Sequence, residues 1–511
     1  MRRRQFIQCG FALAAATLLP WDGRLAKAQQ SLFSHGVASG DPLADRVIIW
    51  TRVNAEQPTN VRWQVFADAG LRQMIKEGEA WALPQHDFTV KVDVDGLLPG
   101  QHYYYRFLAL GEVSATGRTK TLSLHAEEIR LGVVSCSNYA YGFFNVYGLL
   151  AERNDLDAIL HLGDYIYEYA EGGYGSGADL GRVLDPLHEC IRLDDYRRRY
   201  ALYRSDPDAQ AVHAAHPFIT VWDDHELAND CWQNGAENHN PGEGLWAVRK
   251  QQAIQAYFEW LPIREPTAWP RRDAIYRQFR FSHLADVLML DTRVIGRDRP
   301  LEIPEGALAY EYSGQFPYRT MMGGAQEQWL YHALAQSKKD GVRWRLLGQQ
   351  VQMAQRVSSW NDSWDGYAPN RARLFRALQQ GVDNTVVLSG DIHCSWAAEL
   401  AMNPFDARIY QPETGLGALA VELITPSVTS PSSYARLSTA EQQKAQADIY
   451  AEHPHIKFCD LVQHGYLEVR INANEVRSRW HYVKTVQERS LERIVGPGWL
   501  VRAGTSHLQP A

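Results

Sequence analysis

Three apolar runs in this chain stop abruptly at acidic residues or histidine, and no other feature constrains the fold as strongly. They cover residues 159–162, 218–222 and 386–388, and they lead into Gly163-Asp164, Asp223-Asp224-His225-Glu226 and Ser389-Gly390-Asp391-Ile392-His393. A buried strand aims its last residues into the crevice beyond its carboxyl end, where α/β proteins usually bind ligands. The pattern therefore predicts a metal site assembled from several strand ends.

Length and composition indicate a multidomain globular protein. A chain of 511 residues exceeds the size at which a single core stops growing, so two domains are expected. Hydrophobic residues make up 45% of the chain and charged residues 22%, which is typical of globular proteins. The net charge of -7 disfavours polyanion binding, so we expect no specific binding of nucleic acid.

The first residues read as an export signal. Met1-Arg2-Arg3-Arg4-Gln5-Phe6-Ile7 resembles a bacterial twin-arginine signal, and Ala26-Lys27-Ala28 has the small-x-small pattern of a cleavage site. The apolar stretch between them, residues 6–20, is short for a bilayer span, although an uncleaved membrane anchor is the alternative. We predict that residues 1–28 are a signal peptide read by the twin-arginine export machinery. The mature protein would begin near Gln29, would not span a membrane, and would be periplasmic or secreted.

Cysteine usage is unusual for an exported protein. Loss of Cys9 with the signal would leave five cysteines, which are Cys136, Cys190, Cys231, Cys394 and Cys459. An odd number in an oxidising compartment means that at least one is free, metal-bound or buried.

Residues 31–125 have the pattern of an all-β domain. Alternating or apolar runs at 47–52, 61–66 and 89–94 are spaced like the strands of a sandwich. Residues 97–107, which include Pro99-Gly100 and Tyr103-Tyr104-Tyr105, look like the turn and tyrosine-bearing strand of a fibronectin type III-like module. If this module were a standalone domain, it would indicate a function in adhesion. The alternative from a different class is therefore an exported binding or adhesion protein with an inactive catalytic domain.

Residues 129–484 change to apolar strands separated by helical stretches, an α/β pattern. The late strands predicted at 418–424 and 465–471 have no long helices between them, which indicates a mixed sheet. The tail, residues 485–511, has no clear place in this scheme, and a cover over the cleft is one role for it. The run Tyr196-Arg197-Arg198-Arg199-Tyr200 is expected to be a solvated helix face, and a phosphate clamp is the alternative.

Five motifs carry a family resemblance over nearly the whole chain. They are His35-Gly36-Val37-Ala38-Ser39-Gly40-Asp41-Pro42, Ser135-Cys136-Ser137-Asn138, Gly163-Asp164-Tyr165-Ile166-Tyr167-Glu168, Trp222-Asp223-Asp224-His225-Glu226 and Ser389-Gly390-Asp391-Ile392-His393. In order and spacing they resemble the PhoD-like alkaline phosphatases and phosphodiesterases, within the calcineurin-like and purple acid phosphatase group. The resemblance implies an α/β/β/α metallophosphoesterase sandwich with mixed sheets behind the N-terminal β-domain.

The resemblance also implies one ferric ion beside one or two calcium ions, with the phosphate bridging them. We assign the ferric shell to Cys136, Asp164, Tyr167 and His393, because a thiolate, a carboxylate, a phenolate and an imidazole form a plausible ferric set. Asp164 would bridge to a second, oxygen-rich site completed by Asp224 and Asp391, and oxygen ligands favour calcium over zinc. Asp223, Gln350 and Asn138 are further candidates, either as metal ligands or as supports for them.

The activity implied is hydrolysis of phosphate monoesters, diesters or both by attack of a metal-bound hydroxide on the bridging phosphate. By similarity, His225 would protonate the leaving group or bind the phosphate. Asp223 would orient the His225 side chain or reach a second calcium. A phospholipase D-like phosphodiesterase of the same family is the nearest alternative. Ser-His-Asp hydrolysis is set aside because Gly173-Tyr174-Gly175-Ser176-Gly177 lacks the strand-to-helix elbow, and a carboxylate-rich site suits phosphoryl transfer better than redox chemistry.

Overall fold

Strands in the computed structural model gather into three sheets, and the model describes residues 31–266 and 274–511. The predicted signal peptide lies outside these residues. Within them, none of the helices has both the length and the apolar character needed to cross a membrane.

The described residues form 22 strands and eight α-helices. The strands are β1 Val37–Gly40, β2 Val47–Arg52, β3 Thr59–Phe66, β4 Met74–Ala82, β5 Thr89–Val94, β6 His102–Ala109, β7 Glu112–Val113, β8 Gly117–Lys120, β9 Glu128–Val134, β10 Ala158–His161, β11 Pro217–Thr220, β12 Arg277–Phe281, β13 Ala285–Met289, β14 Trp344–Gly348, β15 Thr385–Ser389, β16 Ser395–Ala401, β17 Ala418–Ile424, β18 Ile456–Asp460, β19 Gly465–Asn472, β20 Glu475–Val483, β21 Arg493–Arg502 and β22 Leu508–Pro510. The helices are α1 Asn145–Ala151, α2 Leu193–Arg204, α3 Pro207–Ala215, α4 Trp246–Trp260, α5 Ala309–Ser313, α6 Gly323–Lys339, α7 Ala368–Gln379 and α8 Thr439–Glu452.

Two mixed sheets contain the strands that the sequence predicted from apolar runs. The ten-stranded sheet has the order β22-β21-β20-β19-β9-β10-β11-β1-β2-β5, and β9, β10 and β11 run parallel at its centre. The seven-stranded sheet has the order β12-β13-β14-β15-β17-β16-β18, and β13, β14, β15 and β17 run parallel. Each sheet therefore presents several carboxyl ends on one edge.

The two sheets face each other across one apolar core. Leu160 and Val133 of the ten-stranded sheet share this core with Val287, Leu346 and Val386 of the seven-stranded sheet, all fully buried. Side chains of α1, α2 and α4 belong to the same core, whereas α6 and α7 pack in a second core with other strand residues. The predicted α/β/β/α class with mixed sheets is confirmed.

The N-terminal region is β-rich, as predicted, and part of it is continuous with the ten-stranded sheet. Strands β4-β3-β6-β7, with β8 beside β6, make the five-stranded sheet, which shares an apolar core with side chains of β1, β2 and β5. Strands β1, β2 and β5 instead join the ten-stranded sheet, where β1 pairs in parallel with β11 through Ser39–Pro217 and Gly40–Phe218. Because this pairing links residues far apart in the chain, local sequence patterns gave no sign of it.

Two other segments differ from expectation. The tail after residue 484 forms β21 and β22, which extend the ten-stranded sheet by antiparallel pairing instead of covering the cleft. The arginine-rich run lies on α2, but Tyr196, Arg199 and Tyr200 are buried. Arg199 donates hydrogen bonds to the carbonyl oxygens of Tyr167 and Tyr169. These carbonyl groups lie in the irregular loop after β10, and buried carbonyl oxygens require hydrogen-bond donors.

Candidate metal centre

Loops at the carboxyl ends of four parallel strands bring the predicted ligands together. Cys136 follows β9, Asp164 follows β10, Asp224 follows β11, and Asp391 and His393 follow β15. Three groups of ligand atoms lie within 4.8 Å of one another: Cys136, Asp164 and His393; Asp164, Asp224 and His225; and Asp223, Asp224 and Asp391. Asp164 belongs to the first two groups and Asp224 to the last two, so adjacent cations could share these carboxylates.

Tyr167 completes the cysteine-containing group. Its hydroxyl donates to Asp164 Oδ2 at 2.9 Å and lies 3.3 Å from His393 Nε2. The other ring nitrogen of His393, Nδ1, lies 2.9 Å from the Pro431 carbonyl oxygen and would donate to it, which leaves Nε2 as the free ligand atom. Tyr165, the neighbouring tyrosine, instead has its hydroxyl 2.9 Å from His213 Nε2, away from the centre.

Four of the predicted ligands have left-handed backbone conformations. The φ angles are 61° for Cys136, 56° for Asp164, 66° for Asp391 and 56° for His393. Residues other than glycine seldom adopt this region, and such conformations persist only where surrounding structure enforces them. Their coincidence at one place is typical of a functional site.

Hydrogen bonds between the loops enforce these conformations. The Cys136 amide donates to the Gly163 carbonyl oxygen at 3.1 Å. The buried carboxylate of Glu226 accepts from the backbone amides of Asp164, Tyr165 and Asp223 at 3.0, 2.6 and 2.8 Å. Glu226 thus fixes the Asp164 loop against the Asp223 loop, a role that sequence reasoning missed although the residue lies in a quoted motif.

The donor set fits bound cations. Asp164 Oδ1, Asp223 Oδ2 and Asp391 Oδ2 are buried oxygens with no hydrogen-bond partner among the described residues. Burial, with neighbouring carboxylates, raises the pKa of both Asp164 and Asp391 far above the usual range. Burial also raises the pKa of the Cys136 thiol and lowers that of His393 to about 4. Bound cations would stabilise the ionised carboxylates and thiolate, which burial alone disfavours. The lowered pKa keeps the His393 imidazole neutral, which is the form that binds metal.

Arg293 is the main counter-charge that the protein itself provides. Its guanidinium donates to Asp223, to both oxygens of Asp362 at 2.8 and 2.7 Å, and to Asp391 at 2.9 Å, and lies 3.7 Å from Asp224. Burial alone would raise the pKa of Asp224, but Arg293 and His225 lower it to about 2. In Asp223 burial dominates, and its pKa rises to about 7.

His225 is held by a carboxylate that the sequence analysis did not single out. Its Nδ1 lies 2.8 Å from Glu168 Oε2, and Glu168 Oε1 accepts from the Asn229 amide at 2.8 Å. The imidazole stacks on Tyr167 with ring centroids 4.2 Å apart. A carboxylate at Nδ1 orients the ring and leaves Nε2 free toward the cavity. Although burial opposes it, the carboxylates of Asp224, Asp164 and Glu168 raise the pKa of His225 well above its usual value.

Two of the proposed supporting residues lie outside the ligand groups. Gln350 Oε1 accepts from the Thr292 amide and hydroxyl at 3.0 and 2.6 Å, and its amide group donates to the Leu290 carbonyl oxygen. Asn138 Oδ1 accepts from the Ala140 amide, at the start of a short 3-10 helix. Both side chains therefore shape loops around the centre.

One cavity of about 660 Å³ opens onto the centre. Its walls include aromatic and cationic side chains beside the ligand groups, among them Tyr169, Tyr174, Arg356, Trp360, Tyr434 and Arg436. Of the residues missed by sequence reasoning, Arg293 could have been found, because it closely follows another apolar run, residues 287–290, that ends at an aspartate. Asp362 and Arg356 lie in a loop that carries no comparable signal.

Replacement of Arg293 tests its role as counter-charge. We expect Arg293→Met to lower the free energy of unfolding by about 3 to 5 kcal/mol, because buried carboxylates lose their partner. Denaturant-induced unfolding of the metal-depleted protein measures this change. Arg408→Met is the matched control, since Arg408 is 89% exposed and pairs with Asp406. Loss of this solvent-screened pair should change the free energy of unfolding far less than Arg293→Met does, and equal losses in the two variants would contradict the assignment.

Known proteins share this architecture. The family described as "PhoD-like phosphatase" matches residues 131–480, and "PhoD-like phosphatase, N-terminal domain" matches residues 20–123. Alkaline phosphatase D of Bacillus subtilis (strain 168) is 34% identical over 482 residues, which are 89% of this chain and 78% of that protein. A solved structure described as "Structure of PhoD" has a TM-score of 0.83 and 31% sequence identity, and the match covers 94% of this chain and 92% of that one.

These matches confirm the resemblance carried by the five motifs. They extend over both the β-rich N-terminal region and the mixed sheets whose strand ends hold the ligand groups. The ligand groups agree with the metal dependence of PhoD-like phosphatases. The chain therefore belongs to the PhoD-like phosphatase family and is a hydrolase acting on ester bonds.

Proposed function

We propose that this protein hydrolyses phosphate monoesters, diesters or both at a centre of one ferric ion and one or two calcium ions. Cys136, Asp164, Tyr167 and His393 would hold the iron, and Asp164, Asp224 and Asp391 would hold calcium. The observation that carries the proposal is the position of Asp164, which shares one ligand group with Cys136 and His393 and another with Asp224. Its buried Oδ1 has no partner among the described residues.

Ligand chemistry supports two different cations. The group around Cys136 combines sulfur, nitrogen, phenol and carboxylate, which suits iron, whereas the group around Asp224 and Asp391 offers only carboxylate oxygens, which suit calcium. When bound, such ions supply positive charge to the phosphate oxygens and lower the pKa of water.

The chain's own residues account for orientation and proton transfer. Glu168 and the stacked Tyr167 ring fix His225, whose Nε2 would donate a proton to the leaving oxygen or a hydrogen bond to the phosphate. The Ser430 hydroxyl lies 2.7 Å from the Tyr167 hydroxyl oxygen and 3.0 Å from the Cys136 carbonyl oxygen, so its one proton can be donated to either, and it ties these two residues together. Arg293 orients Asp391 and Asp223 from behind.

Metal content and activity should depend together on Asp164. We expect about one iron per chain, with calcium, in wild-type protein matured through its own export route, and loss of both in Asp164→Asn. Activity on p-nitrophenyl phosphate should fall at least about a thousandfold, because the ions contribute several kcal/mol to the transition state. Plasma mass spectrometry and rate measurements check this.

The control for Asp164 is Asp179→Asn, because Asp179 is an exposed carboxylate on the short 3-10 helix Ala178–Leu180. It should retain metal and rate, and circular dichroism should show both variants folded. Full activity in Asp164→Asn would contradict the bridging role. Zinc or manganese in the wild type would contradict the assignment of iron and calcium from ligand chemistry, but it would remain consistent with phosphoesterase activity.

Leaving-group dependence tests His225. If it protonates the leaving oxygen, His225→Gln should lower kcat by about 10² to 10⁴ for alkyl phosphates and by less for aryl phosphates, whose leaving groups need no proton. Glu168→Gln should act in the same direction with a smaller effect, and His188→Gln, at an exposed position, should have none. Equal losses on both substrate types would assign His225 to phosphate binding.

We also propose that the protein is exported by the twin-arginine pathway and acts in the periplasm or outside the cell, on the basis of the sequence at Arg3-Arg4-Gln5-Phe6. Protein sequencing of the exported form should find its first residue near Gln29. Replacement of Arg3 and Arg4 by lysine should leave the full-length chain in the cytoplasm, and Arg24→Lys should not. Export of the double variant at the wild-type level would contradict the proposal.

A further inference from the structure

Two arginines of the cavity take no part in the metal centre. Arg356 and Arg436 line the same 660 Å³ space as Asp164, His225 and His393. Neither makes an ion pair with a carboxylate of residues 31–266 or 274–511, whereas the buried Arg293 and Arg297 both contact Asp362. Their positive charges therefore remain available to an anion that enters the cavity.

Arg356 is held in place by aromatic side chains. Its guanidinium carbon lies 5.3 Å from the centroid of the Trp396 ring, and Nη2 donates to the Tyr434 hydroxyl at 3.4 Å. Nε is buried and has no partner among the described residues. Stacking fixes the planar group without neutralising it, so its remaining donors keep their full attraction for an anion.

Arg436 reaches the cavity from the segment that also supports the metal ligands. The Pro431 carbonyl oxygen lies 2.9 Å from His393 Nδ1 and accepts from the Tyr174 hydroxyl at 3.2 Å. Arg436 ends the 3-10 helix Ser433–Arg436 that follows. Burial raises the pKa of Tyr174, and the positive charge of Arg436 opposes this rise. The Arg436 guanidinium is therefore close enough to Tyr174 for the two side chains to interact in the cavity wall.

We propose that Arg356 and Arg436 form a second anion-binding subsite, which takes an anionic group on the alcohol portion of the phosphate ester. The inference rests on the proposed function. Cations held by Asp164, Asp224 and Asp391 would bind the reacting phosphate, so the alcohol must extend from the centre toward the remaining walls of the cavity. Guanidinium groups there bind phosphate, phosphonate or carboxylate through paired hydrogen bonds. The preferred substrates are therefore phosphate esters whose alcohol carries a second anion.

A pair of matched esters tests the subsite in the full, metal-loaded enzyme. The probes are 4-phosphonobutyl phosphate and 4-hydroxybutyl phosphate, and only one end of each can release inorganic phosphate. We expect kcat/KM to be at least about tenfold higher for the phosphonate, which is the size of effect typical of a charge-assisted hydrogen bond. The difference should lie mainly in KM and should shrink as ionic strength rises.

Arginine variants connect this preference to the subsite. Arg436→Gln and Arg356→Met should each move the ratio of the two kcat/KM values toward one. Arg376→Gln, an exposed arginine on α7 beside a different cavity, should leave the ratio unchanged. Arg436 is exposed, so its variant is expected to fold even if Arg356→Met does not.

The outcomes separate the subsite from the proposed function. Equal kcat/KM for both esters in the wild type would overturn the subsite alone. Variants that lower both values in proportion, with the ratio unchanged, would also overturn it, because the arginines would then act on the fold. A wild type that hydrolyses no phosphate ester would overturn the proposed function itself.

Discussion

Five carboxylates meet at the strand ends of two sheets, and the Arg293 guanidinium contacts four of them, which are Asp223, Asp224, Asp362 and Asp391. Arg297 adds a second positive charge at Asp362, but these two guanidinium groups do not balance five buried acids, and the pKa of Asp164, which Arg293 does not contact, is raised far above its usual range. This excess of buried negative charge would destabilise the metal-free protein, and it favours the binding of divalent or trivalent cations. Stability, metal binding and phosphate binding therefore depend on one electrostatic arrangement.

The loops that carry the ligands gain their shape from contacts across the two sheets. Left-handed conformations at Cys136, Asp164, Asp391 and His393 turn each side chain back toward the crevice. Glu226 accepts hydrogen bonds from three backbone amides of two of these loops. Ser430, which follows a strand of the seven-stranded sheet, has its hydroxyl within hydrogen-bond distance of both the Tyr167 hydroxyl and the Cys136 carbonyl oxygen. Such strain is sustained only because loops from both sheets hold each other.

The elements of the fold could be predicted, but their assembly could not. Apolar runs such as 159–162 and 386–388 correspond to buried strand ends because strand burial depends on local sequence. The parallel pairing of β1 with β11 joins residues about 180 positions apart, and the tail pairs at the far edge of the same sheet. Pairings at such separations depend on how sheets close around a core, which no local pattern records.

The candidate ligands could be found from the sequence alone, because all of them belong to short motifs that follow apolar runs: Cys136, Asp164, Tyr167, Asp224, Asp391 and His393. The sequence did not determine what surrounds them. Arg293, Glu168 and Asp362 act through contacts with residues 57 to 98 positions away, and Gln350 faces Thr292 instead of the centre. These roles arise in the folded protein, because charge compensation and cavity shape depend on side chains that meet after the sheets have packed.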